Sequence, residues 1–289
     1  MIPRLLSAVR TQGNTTSTSP TANLIAFSGG VDSSVVAALV HQVFPSTSTA
    51  VLGISSAVHQ EQIDLARHVA DTIGIPLHTV ATQEGQIPQY VENAGDACFY
   101  CKTELYENLR TVGKTAAAWN GGDTGDTGGT GVVLFNGTNG DDAQDPTRVG
   151  LVAATNFQVA SPLLKLTKVQ VREAARLLLL PNHAHAASPC LRSRLALGVH
   201  ATADHLHAVE AAERIVRAKL DLSVEHNLRV RLLSGGRSAV EIDAELLEKA
   251  KGILDGELRD LLSTHGFQNV EARAFKSGSV NGLGRTTAL

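Results

Sequence analysis

The sequence predicts an α/β fold: a parallel sheet with helices on both faces, plus a smaller C-terminal α+β domain. Three observations lead there. The first half alternates short β-type apolar runs with helical patterns, the order of a parallel sheet rather than of hairpins. A glycine turn, Ser28-Gly29-Gly30-Val31-Asp32-Ser33-Ser34, separates the first apolar run from the first helical one. Past Gly198 the alternation ends, and two β-type runs flank Ser234-Gly235-Gly236-Arg237.

In chain order, Leu24-Ile25-Ala26-Phe27 is the first strand, and Val35-Val36-Ala37-Ala38-Leu39-Val40 lies in a helix over 31–43. Further strands are expected at 50–54, 77–80, 132–135 and 157–160, and helices at 60–73, 103–112 and 167–180. Ligands of such a sheet bind beyond the carboxyl ends of the strands, where the glycine turn falls. A helix at 202–220, a hairpin of 228–233 with 239–242, a helix at 244–265 and a strand at 269–274 make the smaller domain. The expected organisation is a disordered tail over 1–22, a nucleotide-binding domain over 23–198 and the α+β domain over 199–289. Residues 113–131, with their Asp-Thr-Gly repeats, read as a flexible surface insertion. The first 22 residues hold no acidic residue, and their basic residues are Arg4 and Arg10. That composition also fits a weak organellar transit peptide. With so few basic residues, a tail on a cytoplasmic protein is the expectation.

At 289 residues and 43% hydrophobic, the chain can bury a sizeable core. A net charge of −3 argues against a broad nucleic-acid surface, and 4% aromatic residues offer little base-stacking platform. No apolar run approaches the ~20 residues of a bilayer span, so no membrane partner is expected. The three cysteines, Cys98, Cys101 and Cys190, are too sparse and odd in number for a disulfide framework.

Gly29 and Gly30 lack a Cβ, so the backbone can turn tightly and approach a phosphate at a helix N-terminus. Ser28, Ser33 and Ser34 add hydroxyl donors, and Asp32 can hold magnesium or orient the loop. No Lys follows the second glycine, so this is not a Walker-A loop; the plain alternative is a capped Gly-Gly turn. Cys98-Phe99-Tyr100-Cys101-Lys102 is a CxxC, and Cys190 lies in Ser188-Pro189-Cys190-Leu191-Arg192-Ser193-Arg194. These thiols can be a redox pair, incidental, zinc ligands with His183 or His185, or three ligands of a [4Fe–4S] cluster whose open iron carries sulfide. After the fourth strand comes Asn136-Gly137-Thr138-Asn139-Gly140-Asp141-Asp142, continuing to Arg148. Asp141 and Asp142 can bind magnesium and Arg148 can face a phosphate; a solvated acidic loop is the alternative.

The run 28–34 resembles the signature of the PP-loop ATP pyrophosphatases, whose fold is adenine nucleotide alpha hydrolase-like (Rossmann-like). Added to it are the CxxC with Lys102, the segment 136–148, residues 161–168 with Val171-Arg172, the Cys190 segment, Arg229-Val230-Arg231, Glu241 and 275–281. Together they resemble one branch, the ATP-dependent sacrificial sulfur transferases of the LarE type, which serve nickel-pincer nucleotide cofactor synthesis.

The resemblance implies that ATP adenylylates the carboxylate of a small nucleotide substrate of the pyridinium biscarboxylate mononucleotide type. Pyrophosphate leaves, and sulfur displaces AMP to give a thiocarboxylate. It implies ATP, Mg2+ and, on Cys98, Cys101 and Cys190, a [4Fe–4S] cluster; in the sacrificial version Cys190, or a near neighbour, would instead be the donor. Ser28, Gly29, Gly30, Asp32, Ser33 and Ser34 would hold the ATP phosphates. Gly53, Ser55, Gly137 and Thr138 would line the adenosine pocket. Arg229, Arg231, Lys276 and Ser277 would bind the substrate phosphate, which suits planar guanidinium. Glu241 would bind a divalent ion or simply be a strand residue, and a trimer-based homo-oligomer is implied.

Lys276 stands where the family has Arg and loses a bidentate fork. Gly282 follows Asn281 where the family has an acidic residue, and Ala196-Leu197-Gly198 replaces Pro–aromatic–Gly. These departures bear on substrate identity more than on ATP use. The competing readings are a tRNA-thiolating enzyme, an amide-forming synthetase, and a non-catalytic ATP-binding protein.

Overall fold

Two units make up the chain, and the computed structural model describes residues 1–13, 22–119, 131–145, 147–254 and 257–276 of them. The first unit takes its described residues from 1–55, 60–84 and 98–184, and the second from 56–59, 85–97 and 185 onward.

The first unit opens with α1 (Ile2–Gln12), which packs on α2 (Val31–Val43). Pro3 suits its first turn, and Leu5 and Val9, one turn apart, are its buried residues. The expected disordered tail is therefore corrected over 2–12; residues 14–21 lie outside the described residues. Strands β1 (Ala22–Ala26), β2 (Ser48–Ile54), β3 (Leu77–Ala81) and β4 (Val132–Phe135) form a parallel sheet in the order β3-β2-β1-β4. Parallel neighbours need long crossovers. Here these contain α2, α3 (Gln60–Ile73) and α5 (Ala97–Trp119).

On one face Leu24, Ala26, Val51 and Leu134 pack with Tyr106 and Leu109 of α5 and with Ala153 and Ala154 of α7 (Gly150–Asn156). Strand side chains alternate, so Ile25 and Ala50 point to the other face, and α2 and α3 pack against β1 and β2. The Rossmann-like sheet flanked by helices is as the sequence predicts.

Two local expectations fail. The strand at 157–160 is only a single bridge, Phe135 to Ala160. Phe157 is drawn against Tyr106, with ring centroids 5.6 Å apart, and Gln158 takes φ +53°, which ends any extended run. The helix expected at 103–112 begins at Ala97, so the CxxC lies on its first turn. Of the expected insertion over 113–131, residues 113–119 continue α5 and 120–130 lie outside the described residues. Two further helices complete the unit, α6 (Gly140–Gln144) and α8 (Lys168–Leu177), the latter opened by a Thr167–Gln170 capping box.

In the second unit, α4 (Pro88–Glu92) and α9 (Ala203–Leu220) accompany a three-stranded sheet. Strands β5 (Leu228–Leu232) and β6 (Ser238–Ile242) form the expected antiparallel hairpin, and β7 (Val270–Ala274) pairs parallel to β6. Gly235 and Gly236 carry the hairpin turn at φ +74° and +71°. The single helix expected at 244–265 is a 3₁₀ turn (Ala244–Leu246), α10 (Leu247–Leu254) and α11 (Glu257–Thr264). The unit begins before the expected boundary because Leu195 bridges to Leu232 of β5. No helix among the described residues is long and apolar enough to cross a membrane.

Candidate functional site

The sheet order reverses at β1: the chain leaves toward β2 on one side and returns to β4 on the other. The loops after β1 and β4 diverge at such a point and leave a crevice for a ligand. Gly30 caps α2 with extended backbone, and no side chain caps the helix, so its first-turn amides are left for an anion. Gly29 is obligatory twice over. Its φ is +69°, and a Cβ there would stand 2.7 Å from the Ala66 Cα of α3.

The loop is braced from behind. Buried Asn182 donates through Nδ2 to the Gly29 carbonyl at 2.7 Å and to Ser34 Oγ at 2.9 Å. Gln62 of α3 donates to the Ser28 carbonyl at 2.7 Å. Two side-chain amides thus draw the loop carbonyls back into the protein. Ser33 and Ser34 return their hydroxyls to the Gly30 carbonyl at 3.0 and 2.8 Å, and Ser28 N donates to Ser33 Oγ at 3.2 Å.

The loop after β4 closes on this turn. A Cβ on Gly137 would stand 2.7 Å from Ser33 N. Thr138 N donates to Asn136 Oδ1, which also accepts from Ser161 Oγ. Fully buried Asn139 donates through Nδ2 to Asp32 Oδ1 at 2.8 Å, while its Oδ1 accepts from Asp142 N and caps α6. Burial pushes the Asp32 carboxyl above its usual value, and the Asn139 hydrogen bond opposes that rise. Asp142 is ion-paired with Arg148 at 2.8 Å and Lys168 at 3.2 Å, and Asp141 accepts from Lys168 N. Along the same sheet edge, Gly53 packs against Leu105 and Thr82, and Ser55 donates to buried Glu84 at 2.6 Å.

None of the three cysteines forms a disulfide, and all are half-buried. Cys98 and Cys101 share one face of α5 at i and i+3. Cys190, in the second unit, precedes the 3₁₀ turn Leu191–Arg194. Among the described residues no three His, Cys, Asp or Glu side chains are grouped to hold a metal ion. Beneath the Cys190 segment lies a buried charge network. Arg194 forks onto Glu213 at 2.8 and 3.0 Å, and Arg231 and Arg273 each reach Glu241 at 2.7 Å.

Residues 17–100 match the asparagine synthase family. An uncharacterized protein of Synechocystis sp. (strain ATCC 27184 / PCC 6803 / Kazusa), slr1717, is 32% identical over 264 residues, 89% of this chain and 91% of its own. The pyridinium-3,5-bisthiocarboxylic acid mononucleotide synthase of Lactiplantibacillus plantarum is 28% identical over 197 residues, 67% of this chain and 66% of its own. The chain is a LarE-type PP-loop ATP pyrophosphatase.

As a PP-loop protein of this type it is an ATP-using enzyme. In the LarE-type chain Ser28, Gly29, Gly30, Asp32, Ser33, Ser34 and Gly137 come together in one crevice. Beside it Asp142 pairs with Arg148 and Lys168, and Asp141 accepts from Lys168 N. Arg229, Arg231 and Glu241 are buried in the second unit. Lys276 is exposed, and Ser277 lies outside the described residues. Sequence reasoning missed Gln62, Asn139 and Asn182. Asn139 stands inside a motif already singled out, whereas nothing local marks Asn182, which lies 153 residues from Gly29.

His59 was missed as well. It lies 3.7 Å from Glu213. Burial, then the Arg194 charge, pushes its pKa from 6.5 down to about 4. Burial would raise Glu213, but Arg194 brings it below the ordinary carboxylate value. The unfolded chain therefore takes up the His59 proton more readily than the folded one. Stability is full above about pH 6.5 and is lost as pH falls toward 4, by roughly 3 kcal/mol for this group. Below the ordinary Glu value Glu213 adds loss of the same sign. Calorimetric melting should show Tm falling between pH 6.5 and 4.5, less steeply in His59→Gln. A wild-type Tm flat across that window would contradict the assignment.

Proposed function

We propose that the chain activates the carboxylate of a small nucleotide substrate with ATP and converts it to a thiocarboxylate. The carrying observation is the Gly29-Gly30 turn, braced by Asn182 and Gln62 and set against the Asn139–Asp32 pair. The similarity to a synthase named for a bisthiocarboxylic acid mononucleotide supports the acceptor class.

In this reading a carboxylate oxygen attacks the α-phosphorus of ATP and pyrophosphate leaves. A sulfur nucleophile then attacks the acyl carbon, and the bond to AMP breaks. The α2 amides take charge from the departing phosphates in a site whose dipoles are already aimed. Asp32, oriented by Asn139, is the carboxylate that would hold magnesium, and when bound the ion would supply positive charge against that of the pyrophosphate leaving group. Asp141 and Asp142 are engaged by cations and helix amides, which leaves Asp32 as the metal-facing carboxylate of this reading. Cys98, Cys101 and Cys190 would hold a [4Fe–4S] cluster, which when bound supplies sulfide. The CxxC spacing suits two of its ligands, while the described residues do not group three.

Purified protein with Mg-ATP should release pyrophosphate when pyridinium-3,5-biscarboxylate mononucleotide is added, and mass spectrometry should find oxygen exchanged for sulfur. Release driven by bulk tRNA and not by the mononucleotide, or amide formation with ammonia, would overturn the reading. Anaerobic reconstitution should bind about four irons per chain. Bound zinc, or loss of one sulfur from Cys190 during turnover, would replace the cluster with the alternative donor.

A further inference from the structure

The glycine turn contains two consecutive peptide planes, and side chains from outside the turn set the orientation of each. None of the described peptides is cis, so within a plane the carbonyl and the following N–H point in opposite directions. Gln62 Nε2 donates to the Ser28 carbonyl at 2.7 Å, which turns the Gly29 N–H away from Gln62. Asn182 Nδ2 donates to the Gly29 carbonyl at 2.7 Å, which turns the Gly30 N–H away from Asn182. A carbonyl only accepts, so Nδ2 and not Oδ1 must face it. Asn182 is fully buried, and its Oδ1 has no hydrogen-bond partner among the described residues. An unpaired buried oxygen is costly, and here it accompanies the grip on the Gly29 carbonyl.

The two N–H groups aimed in this way are under-used. Gly29 is buried, yet its N–H donates to nothing among the described residues, a rare condition for a buried amide. Gly30 N reaches only Ser28 Oγ, at 3.4 Å. Both adjoin the uncapped first turn of α2, whose amides favour an anion. A peptide flanked by two glycines turns over at little steric cost. Without a hold, the Gly29 carbonyl would be free to take the place of the Gly30 N–H and face an anion with a lone pair.

We propose that Gln62 and Asn182 are positioning residues for the reaction with ATP: each fixes one peptide plane, so that the N–H groups of Gly29 and Gly30 face the pyrophosphate half of the nucleotide. Neither side chain touches the nucleotide in this role; both act through the backbone they hold. The proposal rests on the reading of the turn as the seat of the ATP phosphates, and it does not depend on which group receives the sulfur.

The test is calorimetric titration of the full chain with two probes, magnesium pyrophosphate and adenosine. Gln62→Ala removes a half-buried amide and frees the Ser28 carbonyl. Asn182→Asp keeps the side chain's size but sets an acceptor against the Gly29 carbonyl. Gln62→Ala should bind pyrophosphate about tenfold more weakly, the effect of one well-placed hydrogen bond. Asn182→Asp should lose at least as much, and Gln62→Ala carries the test if Asn182→Asp does not fold. Adenosine affinity should stay within about twofold of wild type in both, because the planes concern only the phosphates. Unchanged pyrophosphate affinity in the folded variants would overturn the proposal. So would an equal fall for pyrophosphate and adenosine, the result of a general loosening of the domain. A wild-type chain that binds adenosine but no pyrophosphate would instead overturn the phosphate seat itself, and the proposal with it.

Discussion

Gly137→Ala is expected to cut ATP-dependent pyrophosphate release about 100-fold while the chain stays folded. The added Cβ would stand 2.7 Å from Ser33 N, 2.8 Å from the Asp32 carbonyl carbon and 3.0 Å from Asp32 Cβ. The two nearest atoms are backbone, so neither can swing aside as a flexible side-chain tip would. Gly137 is not among the positive-φ glycines, so alanine's own conformation is acceptable there. The penalty is the close approach. Overpacking of this kind costs roughly 1–3 kcal/mol in stability. Its larger effect is on placement, because the β4 loop must move off the start of α2 and stretch the Asn139–Asp32 bond. Shifts of about 1 Å in a catalytic constellation cost on the order of 10²-fold. Steady-state pyrophosphate release beside a melting curve checks this. A variant with wild-type rates would mean that the contact is not part of the working site.

Asp32→Asn separates charge from shape. The side chain keeps its size, and its amide oxygen can still accept from Asn139. Pyrophosphate release is expected to fall about 10²–10³-fold, the usual consequence of removing a charged group that organises phosphate and metal. Stability should move the other way. Burial penalises the charged carboxylate, as the raised Asp32 pKa indicates, so the neutral amide should melt at an equal or higher temperature. Lower Tm with retained activity would make Asp32 a structural residue instead. The opposite signs of the two effects make the variant informative even at a single pH and ATP concentration.

Legibility in the sequence followed the range of the forces involved. The strands β1, β2 and β4 and the β5–β6 hairpin were readable because short apolar runs and glycine turns act within a few residues. The glycine loop was readable because its φ and its close approach are written in Gly29 itself. The false strand at 157–160 failed because Phe157 answers to Tyr106 on α5, a contact no local pattern reveals. The N-terminal helix failed because its composition resembles a tail, while its helicity is supported by packing on α2. The side chains that shape the site, Gln62, Asn139 and Asn182, act at separations of 34, 107 and 153 residues. The Arg229 and Arg231 pair was visible, but whether a guanidinium faces solvent or a buried carbonyl depends on tertiary burial.

The same separations have a consequence during synthesis. The glycine loop leaves the ribosome early, but the amide that grips the Gly29 carbonyl follows 153 residues later. At ~5–20 residues per second that delay is roughly 8–30 s. Throughout it the nascent chain carries the loop residues without Asn182, and for most of it without Asn139, while Gln62 arrives early. Strand β4, which completes the crevice, also arrives late, and its pairing with β1 closes a long stretch of chain, a slow step in folding. The crevice that a nucleotide meets is therefore complete only after most of the first unit has been made.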